Sequence, residues 1–161
     1  MRKTKTTIKH VGEPEAQLKT FIQKFEPRHQ ALIRATRKAL RKRVPSAYEL
    51  AYDNYNVFGI GYAPTERPSD AVVSITAGAK GVGLCFIRGA SLADPKEVLL
   101  GSGKQTRFIR VESVATLMRP EIRALLSAAV AQSKVPFQSG QRGRLSIRSV
   151  SAKQRPRRRV R

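Results

Sequence analysis

At 161 residues, 40% apolar and 27% charged, the chain has the size and composition of one folded domain, not of a disordered or membrane-embedded protein. A formal net charge of +21 directs attention to anionic partners. Cys85 is the only cysteine, which excludes an intramolecular disulfide and a multi-cysteine zinc site.

The charge is unevenly spread. Residues 1–12 carry four Lys/Arg and no acid, and residues 135–161 carry nine and no acid, so more than half of the excess lies in the two ends. The start leads into Val11-Gly12-Glu13-Pro14 without an apolar stretch of signal-peptide length, and a cytoplasmic protein is expected. The most apolar region, 125–131, is far shorter than the roughly 20 residues of a membrane-spanning helix.

In chain order, residues 1–12 read as a basic disordered arm. Leu18, Phe21, Ile22 and Phe25 recur at helical spacing after Pro14, which predicts a short amphipathic helix ending near Glu26. A second helix starts at Pro27 and stops at Pro45. Its apolar set includes Leu32, Ile33, Ala39 and Leu40, while Arg34, Arg37, Lys38 and Arg41 fall at i, i+3, i+4 and i+7 on another face. After residues 48–55 the period becomes two: Phe58, Ile60 and Tyr62 share a face, and strands follow at 71–76 and 82–88, as an antiparallel meander. A strand at 106–111 follows the Gly101-Ser102-Gly103 turn. Ser113 caps a helical turn, and Pro120 opens a last helix with a buried stripe of Ile122, Leu125, Leu126, Ala129 and Val130.

From residue 135 onward Pro, Ser, Gly, Gln and Arg dominate, too few apolar groups to offset ordering entropy, so 135–161 reads as a basic disordered tail. Leu145, Ile147 and Val150 leave room for a brief strand in it. The fold class is therefore α+β over 13–134: two N-terminal helices, a twisted antiparallel sheet of four or five strands, and a C-terminal helix on one face.

Phe86-Ile87-Arg88-Gly89-Ala90, then Leu92, Asp94-Pro95, Leu99-Leu100, Gly101-x-Gly103-Lys104 and Arg107, resemble the signature of the YdhG-like domain of unknown function. Pro45-Ser46-Ala47 with Tyr52 is similar to the segment before that family's first strand. This bacterial family includes a frataxin-like intracellular iron chaperone, and the resemblance, over about 14–133, implies a frataxin-like α+β outline. Iron carriage needs clustered carboxylates. The acids of this chain are scattered, with Glu13 and Glu15 the only close pair before the sheet, and the neighbouring helix is cationic.

Gly101-Ser102-Gly103-Lys104 departs from a phosphate-loop pattern, because Val98 stands where its first glycine would be and Gln105 follows the lysine. Two readings stay open there: a tight turn whose glycines supply positive φ, or a small anion nest with Lys104, Arg107 and Arg88. The second helix holds seven Lys/Arg between Arg28 and Arg43, with no acid between Glu26 and Glu49 to relieve their repulsion. Glu49 and Asp53, near Tyr48, Tyr52 and Tyr55, form the one acid cluster and read as solvated carboxylates on an aromatic cap. His10 and His29 fit no catalytic triad, and Cys85, between apolar neighbours, reads as an inert packing residue.

These readings converge on a non-enzymatic domain without a cofactor or bound metal. It binds a polyanion such as nucleic acid through Arg34, Arg37, Lys38 and Arg41 of the helix and Arg155, Arg157, Arg158 and Arg159 of the tail. A small-ligand or metal-handling domain that uses the sheet face is the alternative.

Overall fold

In the computed structural model, which describes residues 13–160, both N-terminal helices form where the apolar spacing places them. Helix α1 (Glu13–Gln23) buries Leu18, Phe21 and Ile22; helix α2 (Pro27–Arg43) buries His29, Ile33, Thr36 and Leu40. Pro27 occupies the first position of α2, where a missing N–H breaks no helical bond. The Val44 N–H closes the last turn on the Leu40 carbonyl, and Pro45 ends the helix.

Strands β1 (Tyr48–Asp53), β2 (Phe58–Ala63), β3 (Val73–Gly78), β4 (Gly81–Phe86) and β5 (Arg107–Val111) follow as an antiparallel meander. Ser113 caps a short 3-10 turn at Val114–Met118, its Oγ accepting from the Ala115 N–H at 3.2 Å. Helix α3 (Pro120–Ala131) buries Ile122, Leu125, Leu126 and Ala129 of the expected stripe and leaves Val130 half-buried. The chain then returns to the far edge as β6 (Leu145–Val150), parallel to β1, and completes a six-stranded sheet of order β5-β4-β3-β2-β1-β6.

The class is α+β, as the residue pattern indicates, but the sheet is mixed and has six strands where an antiparallel sheet of four or five was expected. Two strands account for the difference. β1 escapes a period-two reading because Glu49 and Asp53 occupy inward positions usually held by apolar residues. β6 is an edge strand whose apolar side chains Leu145 and Ile147 are only half-buried, and it is held chiefly by backbone pairing with β1.

The expectation of a disordered tail over 135–161 is corrected accordingly for the described residues. Glu49 N–H donates to the Arg144 carbonyl at 2.9 Å, and Ser151 N–H to that of Asp53 at 2.9 Å, so main-chain bonds frame β6 at both ends. Ahead of it, Gly143 lies flush on the Ala47–Tyr48 backbone: its N–H donates to the Pro45 carbonyl at 3.1 Å, and any Cβ there would run into the Ala47 carbonyl. The arm expected over 1–12 lies outside the described residues.

One core joins the helices to the inward sheet face, with Phe25 and Phe58 in an edge-to-face contact at 5.8 Å near its centre. The opposite face carries small residues, among them Gly59, Gly61, Ser74, Gly83 and Cys85. Among the described residues no helix is long and apolar enough to cross a membrane.

Truncation after Lys134 removes β6 and bares the backbone edge of β1. We expect the shortened protein to unfold at clearly lower denaturant concentration than the full chain; an unchanged midpoint would show that β6 adds nothing to stability.

Candidate functional site

The helical spacing of Arg34, Arg37, Lys38 and Arg41 places them along one side of α2, and α1 runs beside it. Between the two helices and residues 142–143 lies a groove of about 660 Å³. Leu18, Ile22, Val44 and Ala47 supply its apolar lining.

The cations around the groove divide into two sets. Arg37 is held within the protein: its Nε and Nη2 donate to the two Glu49 oxygens, each at 2.9 Å, while Nη1 and Nη2 donate to Glu15 at 3.0 and 2.8 Å. The Tyr62 hydroxyl donates to Glu49 Oε2 at 2.7 Å, and Arg41 Nε stands 3.7 Å from Oε1. Glu49 is thus a buried carboxylate surrounded by donors, as a buried charge requires. The acids missing from the α2 sequence arrive from α1 and β1.

Electrostatics follow from this geometry. Burial works against the charge of Arg37, but hydrogen bonds from the guanidinium to Glu49 and Glu15 outweigh it and raise its pKa further. Burial, reinforced by the nearby Glu49 charge, pushes the Tyr62 hydroxyl far above its ordinary value, so it stays a donor. The bond from Arg37 holds the Glu15 carboxyl below its ordinary value against partial burial.

Lys19, Arg34, Lys38, Lys42 and Arg142 form the second set, exposed and in no ion pair with the described residues. Among the described residues, the one hydrogen bond of the Arg34 guanidinium goes to the Gln30 side-chain oxygen, at 3.3 Å. An apolar groove rimmed by such cations suits an extended anion with hydrophobic parts.

The arginines of the C-terminal segment have separate positions. Arg157 is buried and its Nη2 meets Asp53 Oδ1 at 2.8 Å, with Lys24 Nζ on the other oxygen at 2.7 Å. A guanidinium so enclosed is not available to phosphate, which corrects its expected role. Arg155 lies against the Tyr55 ring, 5.5 Å from its centroid, and bonds Asn56. Arg158 and Arg159 are exposed beside the α1–α2 turn, where Arg158 Nε reaches the Lys24 carbonyl at 3.1 Å.

The glycine turn closes on itself. Arg107 Nη1 donates to the carbonyls of Gly103 at 2.6 Å and Thr106 at 2.9 Å, and Gly101 has φ +114°, which favours glycine. Lys104 and Arg88 stay exposed without ion pairs among the described residues. The geometry accords with a structural turn.

Sequence reasoning missed the inward placement of Glu49 and Asp53, expected as solvated carboxylates, and the parts played by Glu15 and Tyr62. The four-residue spacing of Glu49 and Asp53 on one strand was the available signal, since it puts both on one face. Tyr48 and Tyr52 fall on the opposite face. Cys85 is half-buried, 3.9 Å from Thr76 Oγ1, with its thiol pushed up by burial. Among the described residues no three His, Cys, Asp or Glu side chains converge to hold a metal ion. Comparison of the chain with protein-family models, curated proteins and solved structures returns no match.

Arg157→Ala leaves Lys24 as the one cation bonded to the buried Asp53. The loss should fall at the lower end of the about 3–5 kcal/mol typical of a broken buried pair, because one carboxylate oxygen keeps its partner; urea unfolding at neutral pH measures it.

Burial tends to raise the Asp53 pKa, yet bonds from Lys24, Arg157 and Gln154 hold it below the ordinary value of 3.8. The stabilisation is present above that value and is lost as pH falls through the lower folded one. Stability measured from neutral pH downward should therefore decline below about pH 4, and Asp53→Asn should flatten that acid limb.

Proposed function

We propose that this protein is a YdhG-like domain acting as a non-enzymatic binding module for polyanions, nucleic acid above all. The observation that carries the reading is the groove between α1 and α2, where exposed Arg34, Lys38 and Lys42 flank an apolar lining while Arg37 and Arg41 are engaged by Glu49. Lys19 from α1 and Arg142 from the segment before β6 extend the cationic rim. Arg158 and Arg159 add charge beside the α1–α2 turn. Cations of this kind neutralise phosphates and carry no base code, so affinity depends on salt far more than on sequence.

The division of cations also changes the appropriate test. Deleting the C-terminal segment would remove β6 together with its charge, whereas exposed side chains can be neutralised without touching the core. Binding of labelled duplex DNA and RNA, titrated at several salt concentrations, should weaken steeply as salt rises. In Arg34→Gln, Lys38→Gln and Lys42→Gln the slope of log K against log salt should shrink by about 0.9 for each duplex phosphate that is no longer neutralised. Lys104→Gln should change it far less. An absence of binding by the wild-type chain even at low salt would reject the reading.

A further inference from the structure

A second basic recess lies away from the groove, at the opposite end of α2. A cleft of about 420 Å³ opens between the first turn of that helix, the β3–β4 hairpin and β5, within the usual size of small-ligand pockets, about 300–1,000 Å³. Arg28 from α2, Lys80 from the hairpin and Arg110 from β5 line it. These three come from separate elements, all are exposed, and none has an ion pair among the described residues. Glu112 is the one acid on the rim.

His29 forms part of the same wall. It is 3% exposed, and neither ring nitrogen has a hydrogen-bond partner among the described residues; Nδ1 is fully buried without one. Nε2 stands beside Gly81, 4.0 Å from where a Cβ would lie, so no side chain of residue 81 covers this edge of the ring. Nδ1, buried without a partner, loses its hydrogen bond to water and gains none in return, which leaves Nε2 as the ring nitrogen that a ligand in the cleft can meet.

The helix start is equally unsatisfied. Pro27 has no N–H, Glu26 makes no side-chain cap, and the N–H groups of Arg28 and His29 have no acceptor among the described residues. The positive end of the α2 dipole therefore adds to the three side-chain cations.

We propose that this cleft binds the phosphate group of a small phosphate ester. A tetrahedral dianion can face Arg28 and Lys80 from different directions, with Arg110 reaching it around the edge strand β5, while accepting from His29 Nε2, which a flat monoanionic carboxylate does less well. Leu32 and Val111 provide an apolar wall for the organic part of the ester. The site stands independently of the groove, because the groove cations lie along a different part of α2 and contribute nothing to this wall.

The chain has only two histidines, so imidazole NMR of the full-length protein reads His29 directly, with His10→Gln fixing the assignment. Inorganic phosphate, titrated at constant pH and ionic strength, should move the His29 signal saturably. Lys80→Gln and Arg110→Gln, both exposed changes, should each weaken the binding by on the order of tenfold, about the effect of removing one charge-assisted hydrogen bond. Lys38→Gln combined with Lys42→Gln should leave it unaltered while weakening nucleic-acid binding. A nucleoside monophosphate should displace phosphate where its parent nucleoside does not. No saturable movement, or wild-type affinity in both Lys80→Gln and Arg110→Gln, would overturn the site. Displacement by a 5′-phosphorylated oligonucleotide but not by the monophosphate would overturn its assignment to a small ester.

Discussion

Two carboxylates on the inward face of β1 organise this molecule. Glu49 and Asp53 lie one above the other across Ala51, both buried, and an unpaired charge in that position would be too costly to keep. Each is satisfied by residues distant in sequence. Glu49 draws in Arg37 and Tyr62, and through Arg37 it reaches Glu15 of α1; Asp53 draws in Lys24 after α1 and Arg157 near the end of the chain. The helical pair and the C-terminal segment are thereby fixed to the same strand.

This arrangement sorts the positive charge. Arg37 and Arg157 neutralise the interior acids, and Arg107 closes its own turn, while Lys19, Arg34, Lys38, Lys42 and Arg142 of the groove and Arg28, Lys80 and Arg110 of the cleft have no ion pair among the described residues. Among the described residues, cations without ion pairs therefore line one side of α2 and its first turn. Surface cations of this kind repel one another, so an anion placed among them relieves a cost that folding left in place. The groove runs between α1 and α2, whereas the cleft lies at the first turn of α2 with the buried His29 in its wall, and the two share no lining residue.

The C-terminal segment shows how weak apolar content can still yield order. β6 is half-buried at best, yet it pairs with β1 along the strand, with one register shift after Ala51, Gly143 permits a backbone approach that no other residue would, and Arg157 anchors the chain beyond the strand. Main-chain hydrogen bonds to an exposed sheet edge do not depend on side-chain pattern. Residue composition alone therefore reads such a segment as a tail.

The sequence by itself determined α1, α2, the strands β2 to β5, the Ser113 cap and α3, because apolar periodicity, proline and capping residues act locally and each of these elements carries them. It also determined the cationic side of α2, since helical spacing suffices to place Arg34, Arg37, Lys38 and Arg41 together. Only the tertiary structure decided that β1 is a strand with acids turned inward, that β6 joins it in parallel, and which arginines are enclosed. Those outcomes rest on pairs separated by 12 residues for Arg37 and Glu49 and by 104 for Asp53 and Arg157, and no local pattern records a partner that far along the chain.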